Sequence, residues 1–353
     1  MLESADIIKV FIPALSAFMV GILCTPALTS FLYKNKVWKK VARTQGLGGG
    51  LTPIFNKLHK EKEVGTPRMG GVIIWFSALV TTILFALLPY VTSYDLFEKL
   101  NFLSRDQTWL PLFTLLVASL LGLIDDYLVV KGNGGYIAGG LPLWMRIGVV
   151  GLIGVVGGWW FQYKLDGFTD IVIPFWGTLE LGYLFIPFFT IIMIALFSGG
   201  VIDGIDGLSG GVMASIFSSY AVIAFAQDQI NIATFCTVVV GGILAFLWFN
   251  IPPARFYMSE TGMLGLTTTI TVIAFLTKAV IVLPLIALPL ILSSLSVIIQ
   301  IFYKKVLGRK FFKVAPLHHH FEAIGWPGYK VTMRAWIFSI VCSVAGTIVA
   351  LML

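Results

Sequence analysis

The stretch IIKVFIPALSAFMVGILCTPALTSFL, Ile7 to Leu32, is a nearly continuous apolar run. An α-helix of about 20 apolar residues is enough to cross the hydrocarbon core of a bilayer, and this run exceeds that. It is too long for the hydrophobic segment of a secretory signal, and Glu3 and Asp6 precede it where a signal would be basic. It is therefore expected to remain in the mature protein. Comparable runs recur along all 353 residues, which are 58% apolar and 12% charged with a mean hydropathy of +0.93. That composition implies an all-α, polytopic membrane protein and excludes a soluble core. Cys24, Cys236 and Cys342 are odd in number, far apart and inside apolar runs, so they suggest neither disulfides nor a thiolate metal site.

Working outward from the first run, the sequence predicts about ten transmembrane helices, near 7–32, 70–90, 109–130, 144–161, 183–202, 208–226, 232–250, 263–277, 279–302 and 333–353. The eighth is short for a full crossing, and Lys278 barely separates it from the ninth. Pro284 and Pro289 are expected to kink the ninth, because each removes an amide donor and crowds the preceding turn. The alternate loops 33–69, 131–146, 251–262 and 303–334 hold 19 of the 24 Lys and Arg, which puts them in the cytoplasm and both termini outside. The net charge of +7 then reflects this asymmetry and anionic membrane lipids, with no nucleic acid required. No loop is long enough for a separate domain, so residues 1–353 read as one membrane domain whose cytoplasmic segments 33–69, 125–146, 198–208, 250–262 and 303–334 carry the chemistry.

Carboxylates mark the mouths of these helices. Asp125-Asp126 ends an apolar run, and adjacent carboxylates repel and resist desolvation unless a cation is near. A divalent metal, or a Lys or Arg, would meet that need; a pair of solvated helix-end acids is the plain alternative. Asp203-Gly204-Ile205-Asp206-Gly207 spaces two carboxylates by three, which puts them on one face of a helical turn, while its glycines admit a ligand close to the backbone. Sugar, nucleoside or metal contact would follow, or else a simple glycine-rich turn in water. In Asn250 to Gly262, Asn250 offers a donor and an acceptor suited to a nucleobase edge, Tyr257 a ring for stacking and Glu260 a carboxylate beside Thr261-Gly262. As an interface anchor, Tyr257 would need no ligand.

Pro316-Leu-His318-His319-His320-Phe-Glu322 places three of the chain's four histidines in a row between apolar runs. Three consecutive imidazoles cannot share one face of a helix or strand, so a loop or helix end beside water is expected. The cluster is internal, framed by Pro316 and Gly325-Trp326-Pro327-Gly328, and so is not a terminal tag. Gly65-Thr66-Pro67-Arg68-Met69-Gly70-Gly71 opens the second helix, where free amides and the positive helix end suit phosphate. Gly46 to Gly50 lacks the Lys and Ser or Thr of a phosphate loop and reads as a hinge, and His59 as a solvated loop residue.

In this order and between membrane spans, the motifs at 65–71, 125–126, 203–207, 250–262 and 316–322 resemble those of the polyprenyl-phosphate N-acetylhexosamine-phosphate transferase superfamily. The triple histidine, continued by Gly325-Trp326-Pro327 and by Val331 to Trp336, resembles the phospho-N-acetylmuramoyl-pentapeptide transferases within it. The resemblance covers essentially the whole chain. It implies Mg²⁺-dependent transfer of phospho-MurNAc-pentapeptide from UDP-MurNAc-pentapeptide to undecaprenyl phosphate, giving lipid I and UMP at the cytoplasmic face of the bacterial inner membrane. Position by position, it implies that Asp125 and Asp126 activate the acceptor and support the metal. Asp203 and Asp206 would line the nucleotide and metal pocket, with Asp203 also catalytic. Glu260 would be the principal metal ligand, with Thr66, Asn250 and Tyr257 contacting substrate. His318, His319 and His320 would meet the diphosphate or sugar, His319 as a catalytic group. A homodimer is left open.

The chain departs from the family pattern in three places. Ser259-Glu260-Thr261-Gly262 stands where Gly-Asp-Thr/Val-Gly is usual, lengthening the metal carboxylate by one methylene. Gly200 and Phe197 stand where asparagines are usual, and Arg68 where a threonine is usual. Two other readings are a sister transferase with a different UDP-linked N-acetylhexosamine phosphate, separable with a donor panel, and a non-enzymatic lipid-binding derivative, which Mg²⁺-dependent UMP release would remove.

Overall fold

The computed structural model describes residues 4–40, 64–91, 94–104, 107–132, 140–165 and 169–352. The expected hinge at Gly46 to Gly50 and His59 lie outside the described residues. The helices are α1 (Ser4–Lys34), α2 (Val72–Val91), α3 (Asp95–Leu100), α4 (Trp109–Lys131), α5 (Leu143–Lys164), α6 (Phe185–Ser198), α7 (Leu208–Ala226), α8 (Ile230–Asn250), α9 (Ser259–Leu276), α10 (Leu283–Ile286), α11 (Leu288–Val306), α12 (Leu317–Ala323) and α13 (Gly328–Leu351). Single 3₁₀ turns, Gly182–Leu184 and Gly199–Ile202, extend α6 at both ends. Between α5 and α6, β1 (Asp170–Ile173) and β2 (Gly177–Glu180) pair antiparallel as a small hairpin. Ten of the helical segments are long and apolar enough to cross a membrane, in the order expected from the sequence.

The eighth span is longer than its apolar stretch suggested. α9 begins at Ser259, and its hydropathy is the lowest of the ten because Thr and Gly interrupt it. It is viable because 94% of its crossing window is buried against other helices. Four hydroxyls along it and at its C-terminal end are also satisfied by the local backbone: Thr267 donates to Met263 O (2.7 Å), Thr268 to Leu264 O (2.7 Å), Thr271 to Thr267 O (3.0 Å) and Thr277 to Ile273 O (2.9 Å). In a medium without water such internal partners are required.

The ninth span is broken, not kinked. α10 and α11 are separate helices that meet at Ala287, and Pro284 and Pro289 each stand in the first two positions of one of them. There a proline sacrifices no intrahelical hydrogen bond, since first-turn amides have no acceptor, and its fixed φ suits the helix start. Lys278, in the left-handed region at φ 53°, ends the preceding helix and pairs with Asp170 of the β hairpin at 2.7 Å.

The interior is built from close helix pairs: α4 with α9, α1 with α8, α7 with α8 and with α13, and α5 with α6. Small residues allow the approach. A Cβ on Gly265 would collide with Ser119 of α4, and one on Gly71 with the backbone of Gly262. With successive spans running up and down, the ends of α4, α8 and α11 and the starts of α2, α5, α7, α9 and α13 are brought to one end of the bundle. All the sequence motifs lie there.

Candidate active site

The tight α4–α9 contact determines where the carboxylates sit. Gly122 lies against the carbonyl of Glu260 with no space for a side chain, so the next turn of α4 presents Asp125 and Asp126 to the start of α9. Asp126 is fully buried and saturated. Its Oδ1 accepts from Arg68 Nε (3.0 Å) and Nη2 (2.9 Å), and its Oδ2 from Thr261 N (2.9 Å) and Thr261 Oγ1 (2.6 Å). Asp125 differs. Its Oδ1 accepts from Leu141 N at 2.6 Å and faces Arg146 Nε at 3.4 Å, while Oδ2 is buried and accepts no hydrogen bond from the described residues. Arg146, in the first turn of α5, also donates from Nη1 to Glu260 Oε1 at 2.5 Å, so one guanidinium ties two acids on two helices.

The Asp203–Gly207 loop is fastened from three sides. Asp203 Oδ1 accepts from Ser209 Oγ (2.6 Å) and Oδ2 from Ser259 N (2.8 Å), which couples it to the residue before Glu260. Burial pushes the Asp203 carboxyl above its usual range against the opposing effect of those two donors. Burial works against the charge of Arg68, but Asp126, Glu260 and Asp203 outweigh it and its pKa is raised. Asn250 spends its side chain on backbone, accepting from Gly207 N (2.9 Å) and donating to Phe256 O (2.8 Å), so it shapes the wall of the site by joining two loops. From α13, Thr332 Oγ1 donates to Asp206 O (3.1 Å) and Trp336 Nε1 to Gly207 O (3.0 Å). Gly207 needs its glycine, with φ at 77° and α13 side chains alongside. Asp206 itself is buried beside Ala254.

The 64–71 segment is stitched to the 250–262 loop by backbone bonds: Tyr257 N donates to Pro67 O (2.8 Å), Gly70 N to Tyr257 O (2.8 Å) and Gly71 N to Met258 O (3.2 Å). Met69 (φ 69°) and Ser259 (φ 59°) both adopt the left-handed region at this crossing, a strained conformation for residues with side chains. Thr66 lies half-buried on the same segment, two residues before Arg68, and Tyr257 is half-buried on the loop stitched to it.

The histidines stand at the start of a short helix, α12, the helix-end alternative of the sequence reading, but His318 and His319 are buried and not beside water as expected. His318 and His319 pack edge to face with ring centroids 4.3 Å apart. A Cβ on Gly204 would sit 2.5 Å from His318 Nε2 and 2.7 Å from His319 Nε2, so both rings turn an edge toward the Asp203–Gly207 loop. His319 Nδ1 pairs with Glu322 Oε2 at 2.7 Å, which leaves Nε2 on the loop side. His320 points elsewhere, accepting from Lys313 N at 3.3 Å; burial and the nearby Lys313 lower its pKa.

Comparison with known proteins matches residues 108–278 to Glycosyl transferase family 4. The phospho-N-acetylmuramoyl-pentapeptide-transferase of Geobacillus sp. (strain WCH70) is 34% identical over 357 residues, covering 98% of this chain and 98% of the relative. The enzymes of the same name from Bacillus subtilis (strain 168) and Bacillus anthracis (strain A0248) are each 34% identical, covering 94% of this chain and 95% and 94% of theirs. The chain belongs to the phospho-N-acetylmuramoyl-pentapeptide-transferase family. It is thus a member of an enzyme family.

Within this family member, the residues that sequence reading missed are those whose types are common. Arg146 carries no motif; its only signal is that it is the one charge in the apolar opening of the fourth span. Ser209 and Thr261 are ordinary hydroxyls whose value lies in what the fold puts opposite them. Among the described residues no group of three or more His, Cys, Asp and Glu side chains converges as a preformed metal cage. The donor chemistry nonetheless suits a hard divalent cation such as Mg²⁺. Asp125 Oδ2 is a buried carboxyl oxygen with no hydrogen-bond partner among the described residues, Glu260 is close by through Arg146, and Mg²⁺ is commonly held by one or two carboxylates together with substrate phosphates.

Proposed function

We propose that this protein transfers phospho-MurNAc-pentapeptide from its UDP donor to undecaprenyl phosphate, forming lipid I and UMP, with Mg²⁺ as cofactor and the active site facing the cytoplasm of the bacterial inner membrane. The observation that carries this reading is the convergence of Asp125, Asp126, Asp203, Glu260 and His319 from four separate parts of the chain onto one end of a membrane bundle, interleaved with two guanidinium groups. Such a site has little acid–base machinery and much fixed charge, which is what phosphoryl transfer between a soluble diphosphate and a lipid phosphate requires.

In the reaction, an acceptor phosphate oxygen forms a bond to the sugar-bearing phosphorus of the donor as the bond to UMP breaks, and UMP leaves. Asp125 Oδ2, which accepts no hydrogen bond from the described residues, would take a proton from the acceptor phosphate. Asp126, whose two oxygens accept from four donors, would hold Arg68 at the site. Glu260 and Asp203, with Asp125 beside them, are the groups that would hold Mg²⁺. When bound, the cation would offset charge developing on the diphosphate. His319, oriented by Glu322 through Nδ1, would turn Nε2 toward the substrate phosphates or sugar beside Gly204, with His318 next to it. Tyr257 and Thr66, on segments tied together by backbone bonds between 67–71 and 257–258, would border the nucleotide side.

Purified protein supplied with UDP-MurNAc-pentapeptide, undecaprenyl phosphate and Mg²⁺ should yield lipid I and UMP in equal amounts. Turnover only with another UDP-N-acetylhexosamine would reassign the donor, and no turnover with any donor would end the transferase reading. The orientation follows from loop charge: cysteines at Lys39 and Lys310 should resist an impermeant thiol reagent in intact cells, while cysteines at Lys99 and Lys164 should react.

A further inference from the structure

We propose that the basic turn after α11 is a docking site for the phosphate headgroups of anionic glycerophospholipids, and that lipid bound there braces the histidine helix. Lys304, Lys305, Arg309, Lys310 and Lys313 stand within ten residues, and no Asp or Glu occurs between Lys278 and Glu322. All but Lys304 are exposed, and none forms an ion pair with a described residue. The turn is nevertheless well built. Gly308, at φ 63°, stands in the turn, and Gln300 of α11 then fastens the segment that follows, accepting from Phe311 N (3.1 Å) and Phe312 N (2.9 Å) and donating to Phe312 O (3.0 Å). The cations are thereby wrapped around the end of a membrane-crossing helix instead of trailing into solvent.

The surroundings select a lipid over an acidic protein. Phe302, Val306 and Phe311 are 56%, 62% and 53% exposed beside the cations, so apolar surface suited to acyl chains adjoins charge suited to headgroups. This is more specific than the general excess of basic residues in one set of loops, because the turn has a fixed shape and leads into the site. Tyr303 packs on Phe311 (ring centroids 4.8 Å), Phe311 on Phe312 (4.7 Å) and Phe312 on His320 (5.4 Å). Lys313 N donates to His320 Nδ1, and Leu317 N, at the start of the histidine helix, donates to Ser296 Oγ of α11 at 2.9 Å. Whatever steadies the turn therefore steadies α12.

The test needs no turnover, so it stands apart from the transferase reading. The full-length protein in non-ionic detergent is titrated with short-chain phosphatidylglycerol, phosphatidylcholine or inorganic phosphate. Hydrogen exchange over 317–323 and the thermal midpoint are followed. Phosphatidylglycerol is expected to slow exchange and raise the midpoint, with an affinity that weakens as salt rises, and the other two to do neither. K304Q/K305Q/R309Q/K310Q should weaken the apparent affinity by roughly fivefold per cation removed, while K304R/K305R/K310R retains it. Equal responses to the two lipids, an equal response to inorganic phosphate, or an unaltered response in the Gln variant would overturn the proposal. Should the Gln variant not fold, the lipid comparison and salt series on the unaltered protein decide by the same criteria.

Discussion

α9 and α11 cross the same membrane and both contribute to the site, yet they are opposite kinds of helix. In α9, 94% of the crossing window is buried; in α11 it is 28%. α9 is rich in Thr and Gly, and its neighbours approach to backbone contact, whereas α11 carries many of its apolar side chains outward and spends its buried Ser294, Ser296 and Gln300 on polar contacts. The carboxylates hang on the first helix and the histidines on the second, through Ser296 and Gln300. The acidic half of the site is thus set by rigid packing, and the histidine half by a peripheral element that a few hydrogen bonds hold in place.

The largest expected effect attacks the rigid half. Gly122→Leu would drive a side chain into the Glu260 backbone, and no flexible neighbour can yield. Loss of the folded, detergent-stable protein is expected, read as aggregation on size-exclusion chromatography. Gly148→Leu on α5 is the matched control, since nothing lies within 4 Å of its Cβ; it should behave as wild type. Next comes Arg68→Gln. It leaves Asp126, with a fully buried side chain, lacking its cation, and breaking such a pair costs about 3 kcal/mol. A drop of several degrees in thermal midpoint should result, with Arg68→Lys recovering part of it.

This contrast also explains what could be read from sequence. The spans of the periphery were legible because lipid-facing helices must be apolar, and the carboxylate and histidine motifs because their residue types are costly in a membrane. α9 was harder to delimit because burial by protein, not by lipid, supports it, and Thr hydroxyls bonded to their own helix leave no hydropathy signal. The division of labour within Asp125-Asp126 was not legible at all. Adjacent carboxylates look equivalent until Thr261 and Arg68 arrive at one and not the other. Likewise Asn250 offers the right groups for a base edge, but Gly207 and Phe256, brought together by tertiary contacts, take them up.

Glu260→Gln tests the chemistry of the rigid half without disturbing its packing. The amide keeps the size but loses the anionic oxygen, so lipid I formation should fall about 100-fold or more if the carboxylate holds the cation that offsets transition-state charge. Binding of Mn²⁺ as a spectroscopic probe should weaken in parallel. Glu260→Asp should retain measurable activity with an altered Mg²⁺ dependence, since Mg²⁺ tolerates little displacement of its ligands. Wild-type turnover in the Gln variant would make Glu260 a partner of Arg146 alone.

The smallest expected effect belongs to the peripheral half. Ser296→Ala removes the acceptor of Leu317 N, the first amide of the histidine helix, and a single hydrogen bond of this kind contributes about 1 kcal/mol. The thermal midpoint should therefore barely move, because α11 keeps its packing and Gln300 still fastens the turn. Hydrogen exchange over 317–323 should nevertheless quicken, and turnover should decline several-fold, because His319 and its partner Glu322 ride on that helix. Ser296→Thr restores the hydroxyl and should restore both. If exchange over α12 is unchanged in Ser296→Ala, the histidines are held by the Asp203–Gly207 loop against which they pack. The two halves of the site would then be equally rigid, and the contrast between α9 and α11 would not extend to the catalytic groups.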